Sequence, residues 1–125
     1  MDDEYIRISQ EDAEALIKRI ISLRENRRYR DAIDLLTKLI IFEEFSSSIF
    51  FCRICPSLYQ ELAELYELTN APVSVINTLE RYFSQYMKLD SETRELRKSL
   101  VQLYLQVAER EHHSIPKAIG RLINN

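Results

Sequence analysis

A single glycine, Gly120, and three prolines punctuate a chain of 125 residues. Hairpin tips between strands draw heavily on glycine, which alone takes positive φ without steric cost. A sequence this poor in glycine leaves few places for left-handed turns and excludes both common glycine-rich phosphate loops. Helices are the remaining way to order it. Apolar residues make up 46% and charged residues 30% of the chain, enough for a core and too apolar for a disordered tail. A domain of this length removes roughly two thirds of its unfolded surface from water. One compact unit over residues 1–125 is therefore expected, and two independent cores are not.

Periodicity places the helices. Ser9 with Asp12 caps a first helix that runs to about Glu25, its apolar residues recurring at three and four from Ala13 through Leu16, Ile17, Ile20 and Ile21. The polar run 24–28 interrupts the pattern, which restarts at Tyr29 and continues through Ala32, Ile33, Leu36, Leu39 and Ile40 to near Glu43. After a break at 45–48, the apolar stretch 49–55 reads as a connector that fills the gap between units, and Pro56 suits the first turn of a third helix over roughly 55–69. Asn70-Ala71-Pro72 ends that helix and opens a fourth, with Val73, Ile76, Leu79, Tyr82, Phe83 and Tyr86 along one side. Asp90 or Ser91 caps a fifth helix carrying Leu96, Leu100, Leu103, Tyr104 and Val107. Ser114 and Pro116 begin a short sixth that ends at Leu122 or Ile123. The expected fold is all-α: about six helices in three stacked antiparallel hairpins, at roughly 9–43, 55–88 and 91–123.

Internal self-similarity favours a stack over a closed bundle. Ala32, Val75 and Ala118 lie 43 residues apart, as do Ile33, Ile76 and Ile119, and Leu36, Leu79 and Leu122. Tyr59, Leu62, Ala63 and Tyr66 follow the order aromatic, leucine, small residue, tyrosine at the spacing of the first helix of a tetratricopeptide repeat, and Tyr29 with Ala32 matches the opening of its second. On these residues the chain resembles the tetratricopeptide-repeat family. It departs from that pattern in its 43-residue period and in Ile20, which stands where a small residue belongs. A small residue at the helix crossing lets two helices approach, and the aromatic fills the space above it.

The resemblance implies a right-handed superhelix whose first helices line a groove for a partner polypeptide. In that register the groove-facing positions are Ile17, Ile21 and Arg24, then Gln60, Glu64 and Glu67, then Lys98 and Gln102. Gln60 and Glu64 are not the lysine and asparagine clamp that the family's chaperone-binding members use. The groove is expected to be apolar at one end and polar at the other, suited to an amphipathic helix or an extended segment. Leu122 and Ile123 form an apolar last edge, which a second copy of the chain or a larger complex would cover.

Catalytic chemistry finds little footing. Cys52 and Cys55 have the spacing of half a zinc site. The histidines that might complete it, His112 and His113, are adjacent, and neighbouring side chains on a helix diverge by about 100°. The cysteines read better as small apolar residues, and the histidines as cations against a helix C-terminus. The acid pairs Glu61 with Glu64 and Glu43 with Glu44 read as solvated helix surface. No catalytic residue, metal ligand set or cofactor is expected, and the chain is read as no enzyme.

The net charge of −3, from 17 basic and 20 acidic residues, disfavours general binding of nucleic acid. The acidic start, Met1-Asp2-Asp3-Glu4, does not read as a secretory signal, and no window approaches 18 uncharged apolar residues. With only two cysteines, a reducing cytoplasmic or nuclear setting is expected. The leading reading is a non-catalytic protein–protein interaction module, a small adaptor or complex subunit. The alternative is a nucleic-acid-associated helical protein using the basic turn Arg24, Arg27, Arg28 and Arg30, because arginine forks bind phosphate at two points.

Overall fold

The computed structural model describes residues 10–46, 49–86 and 94–124, with side chains over 14–41, 57–85 and 94–124. Within these residues the chain is all-helical: α1 (Gln10–Glu25), α2 (Tyr29–Ser46), α3 (Ile49–Leu68), α4 (Pro72–Tyr86), α5 (Arg94–Arg110) and α6 (Lys117–Ile123). The caps expected at Ser9, Asp90 and Ser91, and the side chains of Asp12, Cys52 and Cys55, lie outside the described residues.

Two boundaries correct the sequence reading. α2 runs on to Ser46, and α3 starts at Ile49, where a connector was expected. The stretch 49–55 is helix, and Pro56 stands inside α3 instead of in its first turn. Once a helix has nucleated, each added residue contributes a backbone hydrogen bond, which offsets the lost bond and the ring–carbonyl clash, together about 3 kcal/mol, that an interior proline brings.

From α1 to α5 each helix packs on the next in the chain, but the hairpin expected over 91–123 does not close: α6 packs on α4 and not substantially on α5. α1 packs on α2, α2 on α3 and α3 on α4, while α4 carries both α5 and α6, and α5 also meets α3. The core is densest in the α3–α4 pair, where Tyr59, Ala63, Leu65, Val75, Leu79, Tyr82 and Phe83 are all buried. Among the described residues α1 contributes one fully buried apolar side chain, Ile20, and α6 contributes Ile119. Rings form a continuous row across three helices. Tyr59 lies 5.7 Å from Tyr82, Tyr82 5.7 Å from Phe83, and Phe83 5.3 Å from Tyr104 at an edge-to-face angle of 86°, the arrangement that aromatic quadrupoles favour.

The first helix of each pair stops in the same way. Arg27 N–H donates to the Arg24 carbonyl and Arg28 N–H to that of Leu23; Asn70 and Ala71 do the same to Glu67 and Tyr66, and His112 and His113 to Glu109 and Ala108. These are Schellman closures, with the central residue in the left-handed region: φ is 61° at Arg27, 57° at Asn70 and 54° at His112. A chain with almost no glycine thus makes three left-handed turns without it, contrary to expectation. The two bonds of each closure, made to otherwise orphaned carbonyls, offset the steric cost of a Cβ there.

The 43-residue register holds for two units and slips in the third. Ala32 and Val75 are fully buried, whereas Ala118 is exposed. Three residues, 26–28 and 69–71, separate the helices of the first two pairs, but 111–116 separate α5 from α6. The longer connector restarts α6 at a different rotation. Ala32 N–H bonds to Arg28, Val75 to Ala71 and Gly120 to Pro116 as each second helix begins. Gly120, two positions past Ala118, takes the equivalent place.

Since Cβ strain in the left-handed region is relieved by glycine, Arg27→Gly and His112→Gly should each stabilise the fold by roughly 0.5–1 kcal/mol, net of the added freedom of the unfolded chain. Asn70→Gly should give less, because asparagine tolerates this conformation. Midpoints of urea unfolding for the three variants check the ranking.

Candidate interaction surface

α3 carries three carboxylates one turn apart, Glu61, Glu64 and Glu67, and arginines from two other helices reach them. Arg24, in the last turn of α1, places Nη1 2.8 and 2.7 Å from the two Glu61 oxygens and 2.9 Å from Glu64 Oε1. Gln60 donates from Nε2 to the other Glu64 oxygen at 3.1 Å. At the far end of α3, Arg110 of α5 grips Glu67 through both terminal nitrogens, at 3.2 and 2.8 Å, while its Nε reaches Glu111 at 3.2 Å. Burial opposes the charge on Arg24, and the hydrogen bonds to Glu61 and Glu64 outweigh it, so the pKa stays above its ordinary value. The hydrogen bond from Arg110 holds the Glu67 carboxyl below its usual range, against the opposing effect of burial. The acid pair Glu61 with Glu64, expected to be plain solvated surface, is half of an interhelical ion network.

The structure joins part of the residue set that the groove reading named. Arg24, Gln60 and Glu64 share one hydrogen-bonded cluster, and Glu67 belongs to the second cluster on the same helix. Lys98 pairs within its own helix with Glu95 at 3.3 Å, and Gln102 is exposed outside both clusters. Ile17 packs against the core edge, while Ile21 stands 45% exposed. The polar members of this face therefore largely satisfy one another.

The basic turn is smaller than its sequence suggests. Arg24 is committed to α3, and Arg28 pairs with Asp31 at 2.6 Å. Arg27 and Arg30 remain as exposed cations, making no ion pair among the described residues. With Tyr29 and Thr69 they border an open hollow between the first two interhelical turns.

A cluster that the sequence reading did not identify ties α4 to α5. Glu80 Oε2 accepts the Tyr104 hydroxyl at 2.7 Å and lies 2.8 Å from His113 Nε2. Tyr104 is fully buried; burial first, and then the Glu80 carboxylate, raises its pKa. His113, expected to act on the helix dipole, makes a specific contact with an acid from another helix. The available signal was the position of Glu80 itself, a carboxylate directly between the buried residues Leu79 and Tyr82.

On the other side of α3, a cleft of about 250 Å³ opens between α2 and α4. Ile40, Ile41, Tyr59, Leu62 and Tyr66 supply apolar surface, and Thr37, Asn77, Thr78 and Arg81 supply polar groups. Its volume lies below the roughly 300–1,000 Å³ of pockets that enclose drug-sized ligands, and it is open along its length. Among the described residues no group of three or more His, Cys, Asp or Glu is placed to hold a metal, and no helix is long and apolar enough to cross a membrane. Comparison with protein-family models, curated proteins and solved structures finds no match to this chain.

Removing Arg24 leaves two partly buried carboxylates facing each other across one helical turn. Arg24→Ala should cost about 1 kcal/mol at low salt, after allowing for solvent screening, and less at 1 M salt; urea unfolding at both ionic strengths measures the difference. Tyr104 has its folded-state pKa raised above the unfolded value of 10.0. The stability it contributes is intact below pH 10 and is lost as pH rises through the folded value. Tyr104→Phe should cost about 1–2 kcal/mol near neutral pH and lose less stability than the parent between neutral and strongly alkaline pH.

Proposed function

We propose that this chain is a non-catalytic protein-binding module, a stack of tetratricopeptide-like helical hairpins that serves as a small adaptor or subunit of a larger complex. The observation that carries this reading is the packing order from α1 to α5, in which each helix rests on the next in the chain, while α6 rests on α4. Val73, Ile41, Ile21, Leu68 and Leu105 all stand more than two fifths exposed, which leaves apolar side chains on helix exteriors for a partner to cover. The three like-built helix stops support a repeat origin, and Ala32 and Ala63, both fully buried, have the small size that close hairpin packing requires.

Association with nucleic acid through the basic turn is the weaker reading, because two of its four arginines are held in ion pairs. Affinity capture with the folded chain, against a control chain carrying Leu79→Asp in its core, separates the alternatives. A partner retained at stoichiometric yield by the folded chain alone is the expected result. RNA binding with a steep salt dependence, lost in Arg27→Glu/Arg30→Glu, would transfer the function to the basic turn.

A further inference from the structure

The hollow between the first two interhelical turns, about 370 Å³ in volume, is lined by Arg27, Arg28, Tyr29, Arg30, Asp31 and Thr69, and its charges do not cancel. Arg28 is committed to Asp31, with Nε and Nη2 at 2.8 and 2.6 Å from one carboxylate oxygen. Thr69 donates its hydroxyl to the carbonyls of Leu65 and Tyr66, and Tyr29 packs against the edge of the core, so both walls are fixed from within. Glu67, two residues before Thr69, is held by Arg110. Arg27 and Arg30, exposed and without an ion pair among the described residues, therefore leave two uncompensated cations at one concave place.

Resting on the protein-binding reading above, we propose that this hollow receives an acidic segment of a partner protein, with one carboxylate at Arg27 and another at Arg30. A guanidinium fork meets a carboxylate at two points, which orients the incoming side chain as well as attracting it. The patch is also bounded. Exposed Glu25 lies two residues before Arg27, and exposed Asp34 one turn beyond Arg30, so negative charge returns on either side. A nucleic-acid strand, with a phosphate at every nucleotide, would meet repulsion at both ends of the patch, whereas a pair of carboxylates fits between them. Because both arginines stand in solvent, each contact is weak by itself, and the hollow sets the partner's position and selectivity more than its total affinity.

The test uses the full chain and labelled, terminally blocked peptides of about eight residues, one bearing glutamates at alternate positions and one bearing lysines there. An oligouridine of similar length is the third probe, and all are titrated by fluorescence anisotropy at low and high salt. The glutamate peptide should bind, and added salt should weaken it. Arg27→Glu and Arg30→Glu should each weaken it at least fivefold, and the double variant should prefer the lysine peptide. Arg121→Glu, which reverses an exposed cation on α6, should change it less than twofold, with circular dichroism confirming that all variants fold. A glutamate peptide that does not bind, or that binds parent and both variants alike, would overturn the hollow as an acid site, and a partner still retained in affinity capture would leave the protein-binding reading standing. Oligouridine bound in preference to the peptide, and lost in the same variants, would remove the two together.

Discussion

The row of rings from Tyr59 through Tyr82 and Phe83 to Tyr104 is the constraint on which the rest of the structure depends. α5 lacks the short connector that presses α1 onto α2 and α3 onto α4, so its position is set by what it buries. Tyr104 inserts its ring edge-on to Phe83 and passes its hydroxyl to Glu80. The same Glu80 oxygen meets His113, which lies just beyond the left-handed residue that closes α5. A single line of contacts therefore runs from the core, through a buried hydroxyl and a half-buried carboxylate, to the turn that launches α6. Each large ring removes on the order of 150–250 Å² from water, which makes the row the costliest part of the core to misplace.

Electrostatics organises the face shared by α1, α3 and α5. On the α1, α3 and α5 side, two arginines and three glutamates draw separate helices together, and bonds that span 37 to 43 residues in the chain act as spacers between successive pairs. Partly exposed ion pairs add little stability, but their geometry is selective: Arg24 lies within reach of both Glu61 and Glu64, which fixes the approach of α1 to α3. A partner competing for that face would have to break bonds already made. The cleft on the α2 and α4 side mixes apolar surface from Ile41 and Tyr66 with the polar side chains Thr37, Asn77 and Arg81.

Local pattern made much of the fold legible. The apolar spacing through Ala32, Leu36 and Leu39, and through Val75, Leu79, Tyr82 and Phe83, identified helices whose buried faces are those same residues, and Asn70-Ala71-Pro72 marked a true stop. The start of α3 was misread because proline's preference for a first turn is a local rule, and the helix runs through it. The closures at Arg27 and His112 were hidden because glycine is the usual marker of a left-handed residue and neither site has it. The pairing of Arg24 with Glu61 and of Glu80 with Tyr104 depends on how far each helix is rotated about its axis. That rotation is set by connector length and core packing together, which a periodicity does not encode.

The third pair shows how much depends on that connector. Where only three residues join the helices, the Schellman closure and the next helix's first turn nearly share atoms, and the second helix has little choice but to fold back on the first. With residues 111–116 between them, α6 is released from that geometry and settles on α4, burying Ile119 there and leaving Ala118 in solvent. α5 consequently keeps an outer flank on which Leu105 is exposed, and Ile115 in the connector is exposed as well. The stop and the aim of the next helix are thus set separately: the stop by hydrogen bonds local to the end of α5, the aim of α6 by connector length and by the burial of Ile119.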